Sequence, residues 1–273
     1  MRFGLDIAQQ RVSFAEVVRR AQLAERRGFD GAWGFDHFVP MYGEGPGECF
    51  EGMTTLAALA GVTSTIRLGL LVTGATYRHP SVFAEQALTV DHASNGRFEM
   101  ALGAAWARDE HDRFGIPFPS TGERFDLLED TVEIVTRLFT GDVVSYQGKR
   151  VSLDRAQMRP LPVQRPHPPL WIGGSGPKRT LLLVARYADV WHAGGADYAE
   201  RSRQLDRLAE QAGRDPASIG RAGSLSISES LSEIRRDLED KISQGLDYVV
   251  CGWPGQGDDQ VQQFAEAVMV DYR

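Results

Sequence analysis

Only two cysteines, Cys49 and Cys251, occur in the 273 residues, and they lie far apart in the sequence. Small secreted folds that depend on disulfides have a denser set, so that class is excluded and a reducing cytoplasm is expected. The chain also lacks any apolar run of about 18 residues, and its N-terminus lacks the apolar stretch of a signal peptide. We therefore expect a soluble, cytoplasmic protein with no membrane partner.

Basic charge is in the minority, with 30 Lys and Arg residues against 37 Asp and Glu and a net charge of −7. An acidic chain without a basic stripe is repelled by phosphate backbones, which excludes nucleic acid as a partner. The 42% hydrophobic and 25% charged content is that of a globular protein. The length is ordinary for one α/β barrel, so a single domain over residues 1–273 is expected.

Short apolar runs alternate eight times with amphipathic helical patterns. Such alternation predicts a parallel sheet. Eight repeats, with no G-x-G-x-x-G after the first strand, favour a closed (β/α)8 TIM barrel over a doubly wound sheet. The predicted strands are 3–7, 31–35, 66–73, 98–103, 170–173, 189–192, 223–227 and 248–251.

An insertion of residues 104–168 follows the fourth predicted strand. Ser120 and Glu123 form an S-x-x-E capping box, which predicts the start of a helix over 122–139. A hairpin is predicted next, pairing 143–146 with 150–153. The proline-rich stretch 159–169 is expected to be extended.

In a barrel of this type the active site lies at the carboxyl ends of the strands. Asp36 and His37 follow the second strand, and an imidazole beside a carboxylate can act as an acid or base. The alternative is that Asp36 orients a loop and His37 packs. After the fifth strand comes Gly-Gly-Ser-Gly at 173–176, where glycine amides and the next helix could bind phosphate. The alternative is a plain turn.

The acidic cluster at 109–112 has no accompanying His-x-His or C-x-x-C pattern, so a solvated helix start is expected and no metal site. Trp106 could wall a flat ring. Trp191 could do the same or belong to the core.

Several stretches resemble the luciferase-like monooxygenase superfamily, and more narrowly its F420-dependent oxidoreductase branch. They are GAWGFDHF at 31–38, residues 68–80, DHASNGRF at 91–98, GIPFP at 115–119 and PPLWIGG at 168–174. The resemblance extends to about residue 191. It implies a (β/α)8 barrel, usually a homodimer, with a cofactor ring at the strand ends. It also implies a bulge in the third strand with a non-proline cis peptide, here Leu71–Val72.

The resemblance further implies roles for individual residues. His37 would be the catalytic base. Trp106 stands where sugar-phosphate dehydrogenases of this branch have an acidic partner, which puts that substrate class in doubt. The residues implied to bind the cofactor are Asp36, Leu71, Val72, Thr73, Trp106 and Asp109 around the ring, and Gly173, Gly174, Ser175, Gly176 and Arg179 at the phosphate.

From these observations we expect an oxidoreductase that transfers a hydride between reduced coenzyme F420 and a small organic substrate. His37 would give or take the balancing proton. One alternative is an FMN-dependent monooxygenase that uses oxygen. A second is a flavin-binding barrel without catalysis, acting as carrier or sensor, and a metal hydrolase is the weakest.

Overall fold

The apolar runs of the sequence form short parallel strands, and the insertion adds an antiparallel hairpin, in the computed structural model, which describes residues 1–273. The strands are β1 (Arg2–Asp6), β2 (Gly31–Gly34), β3 (Arg67–Leu70), β4 (Thr73–Gly74), β5 (Phe98–Gly103), β6 (Val144–Gln147), β7 (Ser152–Ala156), β8 (Leu170–Gly173), β9 (Val190–His192), β10 (Gly220–Leu225) and β11 (Tyr248–Cys251).

The main sheet has the order β3-β2-β1-β11-β10-β9-β8-β5-β4, and an additional β3–β5 pairing closes it. β3 and β4 are two parts of one interrupted strand. Counting them together, the closed sheet has eight parallel strand positions, here called staves. This confirms the predicted (β/α)8 barrel. The seventh stave begins at Gly220 rather than Gly223. Its first residues, Gly220 and Arg221, are not apolar, so the apolar pattern does not mark the start of the strand. β6 and β7 form the predicted antiparallel hairpin of the insertion.

Amphipathic helices surround the barrel. They are α1 (Phe14–Arg26), α2 (Gly52–Ala60), α3 (Pro80–Ala93), α4 (Arg108–Phe114), α5 (Thr121–Leu138), α6 (Thr180–Tyr187), α7 (Tyr198–Gln211), α8 (Leu231–Ser243) and α9 (Asp258–Ala267). Local sequence sets several starts: Pro80 begins α3, and Ser120 and Ser230 cap α5 and α8 through complete capping boxes. None of the helices combines the length and apolarity that a membrane crossing needs.

Large aromatic side chains fill the barrel interior below its carboxyl end. Trp33, Trp171 and Tyr248 are almost fully buried, and the Trp33 indole N–H donates to the Tyr248 hydroxyl at 3.0 Å. Glycines make room for them: a Cβ added at Gly4 would lie 2.5 Å from the Trp33 ring. Since the interior is packed solid, an open space can exist only above this layer, at the mouth of the barrel.

The capping box of α5 gives a small, specific prediction. Ser120→Ala removes the hydroxyl that accepts from the Glu123 amide, and it is expected to lower the free energy of unfolding by about 1 kcal/mol. Guanidinium denaturation measures this change. Ser64→Ala is the control, because the Ser64 side chain is exposed and makes no hydrogen bond, and its midpoint should match that of the unaltered protein.

Candidate active site

A cavity of about 730 Å³ opens at the carboxyl ends of the barrel strands. Its volume is in the range of cofactor and substrate pockets. The Trp33 layer lies beneath it, and Leu71 and Val72 pack on that layer. The cavity therefore sits where this fold class has its active site.

Most of the site residues expected from the sequence line this cavity. They are Asp36, His37, Leu71, Val72, Trp106, Gly173, Gly174, Ser175 and Gly176. They come from three separate strand ends and from the bulge, and the closed barrel brings them to one rim.

The bulge between β3 and β4 presents Val72 to the cavity. The Leu71–Val72 peptide bond is cis, as the resemblance implied. A Cβ added at Gly103 would lie 2.6 Å from a Val72 methyl group, and one at Gly173 would lie 2.9 Å from the other. The neighbouring strand ends therefore need glycine so that Val72 can lie between them.

Asp36 is fully buried and both of its oxygens are occupied. The Arg78 guanidinium donates to them at 2.6 and 2.8 Å, and the Gly74 amide donates at 3.2 Å. Arg78 also pairs with Glu51, which caps the N-terminus of α2. These charge-assisted hydrogen bonds hold the Asp36 carboxylate in one position. Asp36 therefore acts as a rigid part of the cavity wall.

His37 is held by a buried carboxylate that the sequence analysis missed. Its Nδ1 lies 2.8 Å from Oε2 of Glu110, whose side chain is 2% exposed. Glu110 also accepts from the Val39 amide at 3.1 Å, from the Phe38 amide and from the Tyr77 hydroxyl. Burial acts to raise the pKa of Glu110, but the bonds from Tyr77, His37 and Phe38 outweigh it and lower that pKa.

This arrangement sets the tautomer of His37. An ionised carboxylate only accepts hydrogen bonds, so Nδ1 carries the hydrogen and Nε2 is left to take or give a proton. No protein group forms a hydrogen bond with Nε2. The Trp106 ring stands edge-on to the imidazole at 5.4 Å between centroids and is largely exposed. The imidazole is thus oriented at the rim beside an aromatic wall.

The loop 173–176 offers main-chain donors to the cavity. The N–H groups of Ser175 and Gly176 donate to no protein acceptor. Gly174 has a φ of 116°, which a residue with a side chain rarely adopts. Helix α6 begins shortly after this loop and adds its positive end, a combination suited to an anion.

Three expected positions, Thr73, Arg179 and Asp109, do not reach the cavity, and Trp191, for which wall and core were both open, belongs to the core. Thr73 is buried beside β5, while its neighbours Val72 and Gly74 line the space. Arg179 bonds Asp126 at 2.6 Å at the start of α6. Trp191 stacks on Tyr198 outside the barrel, because the pleat of β9 turns His192 inward instead.

Asp109 is a clear correction to the expected ring contact. Its side chain is 78% exposed and pairs with Arg113 at 2.9 Å. Successive residues of a helix point about 100° apart, so when Glu110 turns inward Asp109 faces solvent. No three His, Cys, Asp or Glu side chains in the structure are grouped to hold a metal ion.

Two further titratable groups line the cavity and were not expected. Asp6 ends β1 and His192 ends β9. Burial raises the pKa of Asp6 to about 6 and lowers the pKa of His192 to about 4. The carboxyl-end rule would have found both. Glu110 carried no such signal, since it lies in the first turn of a helix of the insertion and not at a strand end.

The chain is similar to known proteins over most of its length. An F420-dependent hydroxymycolic acid dehydrogenase of Mycobacterium tuberculosis is 29% identical over 81% of this chain and 61% of its own length. An FMNH2-dependent dimethylsulfone monooxygenase of Pseudomonas putida is 26% identical over 89% of this chain and 65% of its own. The chain thus spans less than two thirds of the length of these curated relatives.

A solved F420-dependent secondary alcohol dehydrogenase, in complex with an F420–acetone adduct, superposes with a TM-score of 0.88 at 19% identity. It covers 98% of both chains, which shows a common fold. The family described as luciferase-like monooxygenase matches residues 1–269. With its closed barrel, its bulged third stave and this match along nearly the whole sequence, the chain belongs to the luciferase-like monooxygenase family.

Proposed function

We propose that this protein is an F420-dependent oxidoreductase that moves a hydride between the deazaflavin and a small organic substrate. The observation that carries the proposal is the His37–Glu110 pair at the cavity rim. It holds one imidazole nitrogen by an ionised carboxylate and leaves the other free. Interconversion of an alcohol and a carbonyl moves one hydride and one proton, and Nε2 of His37 can hold that proton.

The residues present fit a flat cofactor with a phosphate. Val72 and Trp106 give the cavity apolar surface for a ring, and the free N–H groups near Ser175 suit an anionic oxygen. When bound, such a cofactor supplies the carbon that gives or accepts the hydride. The chain itself positions the substrate, and the Trp106 ring contacts one side of the His37 imidazole.

Titration of the purified protein with F420 and, separately, with FMN tests the cofactor. We expect F420 to bind with micromolar or lower Kd, measured by the change in its absorbance, and FMN to bind at least ten-fold more weakly. Tighter binding of FMN would contradict the proposal.

A second function, FMN-dependent monooxygenation, is favoured by the similarity to the Pseudomonas enzyme. Oxygen consumption with reduced FMN and a substrate panel distinguishes the two functions. Oxygen uptake coupled to product formation would support monooxygenation, and F420 turnover without oxygen would support the hydride transfer.

The 173–176 loop gives a prediction that does not depend on turnover. Ser175→Asp places a carboxylate beside the donors proposed to bind phosphate, and it is expected to raise the Kd of F420 about 10- to 100-fold by like-charge repulsion. Gln211→Glu adds the same charge at the exposed end of α7 and should leave the Kd unchanged.

The phosphate is tested by a second titration of the same variants. Binding of the deazaflavin chromophore without its phosphate tail should respond little to Ser175→Asp. Equal weakening of both ligands would show that the loop does not bind the phosphate.

The other expectations remain proposals. One domain over residues 1–273 follows from the chain length, and a homodimer follows from the resemblance. A cytoplasmic location is supported by the two cysteines, which are both free thiols in the structure.

A further inference from the structure

The rim of the cavity has two chemically different halves. The bulge, the Gly103 strand end and the 173–176 loop lie on neighbouring staves, and these hold the features that fit a cofactor. Four of the remaining strands, in the order β9-β10-β11-β1, form the opposite side of the ring, and β2, which leads to Asp36 and His37, lies between β1 and the bulged strand. The ends of those four strands line the same cavity but have no part in the proposed cofactor site.

Polar side chains concentrate on this second half. Asp6, His192, Ser224 and Ser226, here called the polar arc, all line the cavity. Ser224 and Ser226 are exposed to it, while Leu225 between them is buried, as expected from the two-residue period of a strand. The Ser224 hydroxyl lies 3.4 Å from Nε2 of His192.

The carboxyl of Asp6 is held in place and is only partly used by the protein. Its Oδ1 accepts from the Ala8 amide at 2.8 Å, and Oδ2 has no hydrogen-bond partner. The Arg20 guanidinium lies close enough to act on the charge of Asp6, but it donates to the Ile7 carbonyl at 3.1 Å and to Glu16 at 2.9 Å rather than to Asp6. One oxygen of Asp6 is therefore available to a ligand.

The charges around the cavity decide which ligand suits the polar arc. The residues lining the cavity include no lysine or arginine. The lowered pKa of His192 makes its imidazole neutral near pH 7. A phosphate or carboxylate placed here would meet the Asp6 carboxyl without a cation, whereas a hydroxyl or carbonyl group would find donors and acceptors.

We propose that the polar arc is the substrate subsite, and that it takes an uncharged substrate bearing hydroxyl or carbonyl groups and rejects its anionic counterparts. This inference rests on the proposed function, because it assigns the substrate half of the same cavity. It is the carboxyl of Asp6 that discriminates against anions.

The test compares matched pairs of probes on the F420-loaded protein: 2-butanol with 3-hydroxybutyrate, and glucose with glucose 6-phosphate. Binding is measured at pH 8, where Asp6 is ionised in spite of its raised pKa of about 6, and at constant ionic strength, by quenching of tryptophan fluorescence. We expect the neutral member of at least one pair to bind ten-fold or more tightly than the anionic one. Equal binding, preference for the anion, or no binding of any neutral probe would overturn the inference.

Two substitutions separate charge from structure. Asp6→Asn keeps an oxygen for the Ala8 amide but removes the charge, and it is expected to reduce the preference for the neutral member about ten-fold. Ser224→Lys is expected to tighten binding of the anionic member at least ten-fold. Asp154→Asn, which removes an exposed carboxylate from the hairpin, is the control and should leave the preference unchanged.

An unchanged preference in both Asp6→Asn and Ser224→Lys would contradict the subsite. Failure of the proposed function is a distinct result, since it would appear as absence of F420 binding in the titration that precedes these measurements. If F420 binds and the probes do not discriminate, only the polar arc assignment is lost.

Discussion

Replacement of His37 by alanine is expected to lower kcat by about 100- to 10,000-fold, the usual contribution of a positioned acid or base. The reason is geometric: Glu110 holds Nδ1 at 2.8 Å, and Nε2 is the atom left to exchange a proton at the cavity rim. The loss of kcat is measured from the steady-state rate at which F420 is reduced or oxidised in the presence of a substrate that the unaltered enzyme converts. The Kd of F420 should change less than three-fold, because the ring-holding residues lie on other staves.

His92→Ala is the matched control. That imidazole binds the Leu161 carbonyl on the outer surface of α3 and does not line the cavity. The kcat of the His92→Ala variant should equal that of the unaltered enzyme. Added imidazole is expected to restore part of the activity of the His37→Ala variant. Unaltered turnover in His37→Ala would remove the proton-transfer role.

Glu110→Gln is expected to lower the free energy of unfolding by about 2–4 kcal/mol and kcat by at least ten-fold. The buried carboxylate accepts from Phe38, Val39, Tyr77 and His37, and an amide group would direct N–H toward at least one of these donors. Glu110 is a positioning residue, so kcat should fall while KM stays nearly constant. A fall in stability with unaltered kcat would show a structural role alone.

The pH dependence of this variant follows from the lowered pKa of Glu110. A carboxyl whose folded pKa lies below its ordinary value of 4.5 adds stability above that value, and the stability is lost as the pH falls through the folded pKa. The difference in the free energy of unfolding between the unaltered protein and Glu110→Gln should therefore be largest near pH 7 and become smaller below pH 4.5. Asp109→Asn, next in the chain but exposed, should change the free energy of unfolding by no more than about 1 kcal/mol at any pH, because its ion pair with Arg113 lies on the surface.

Local pattern was enough to predict much of the architecture. The eight alternations, the capping boxes at Ser120 and Ser230 and the hairpin each depend on residues close together in the chain. Strand boundaries for β5, β8 and β11 agree with the apolar runs because both ends are marked by turns. The weakest prediction was the seventh stave, because its alternating serines are not typical of a buried strand.

Candidate site residues that directly follow a strand were predicted from the sequence. Those whose position depends on the packing of distant segments were missed. His37 and the 173–176 loop follow apolar runs directly, so the carboxyl-end rule found them. Asp6 and His192 satisfy the same rule but are single residues at the last position of a strand. Glu110 lies 73 residues from His37 and inside an insertion, so no spacing in the sequence connects them.

What the sequence alone determined is the barrel, the edge that carries the site and the loop that suits an anion, since all three depend on periodicity and local turn chemistry. Tertiary structure decided which neighbour of each pair faces inward: Glu110 rather than Asp109, and His192 rather than Trp191. The phase of a helix or a pleat is fixed by what its buried face packs against, and that surface exists only after the barrel closes.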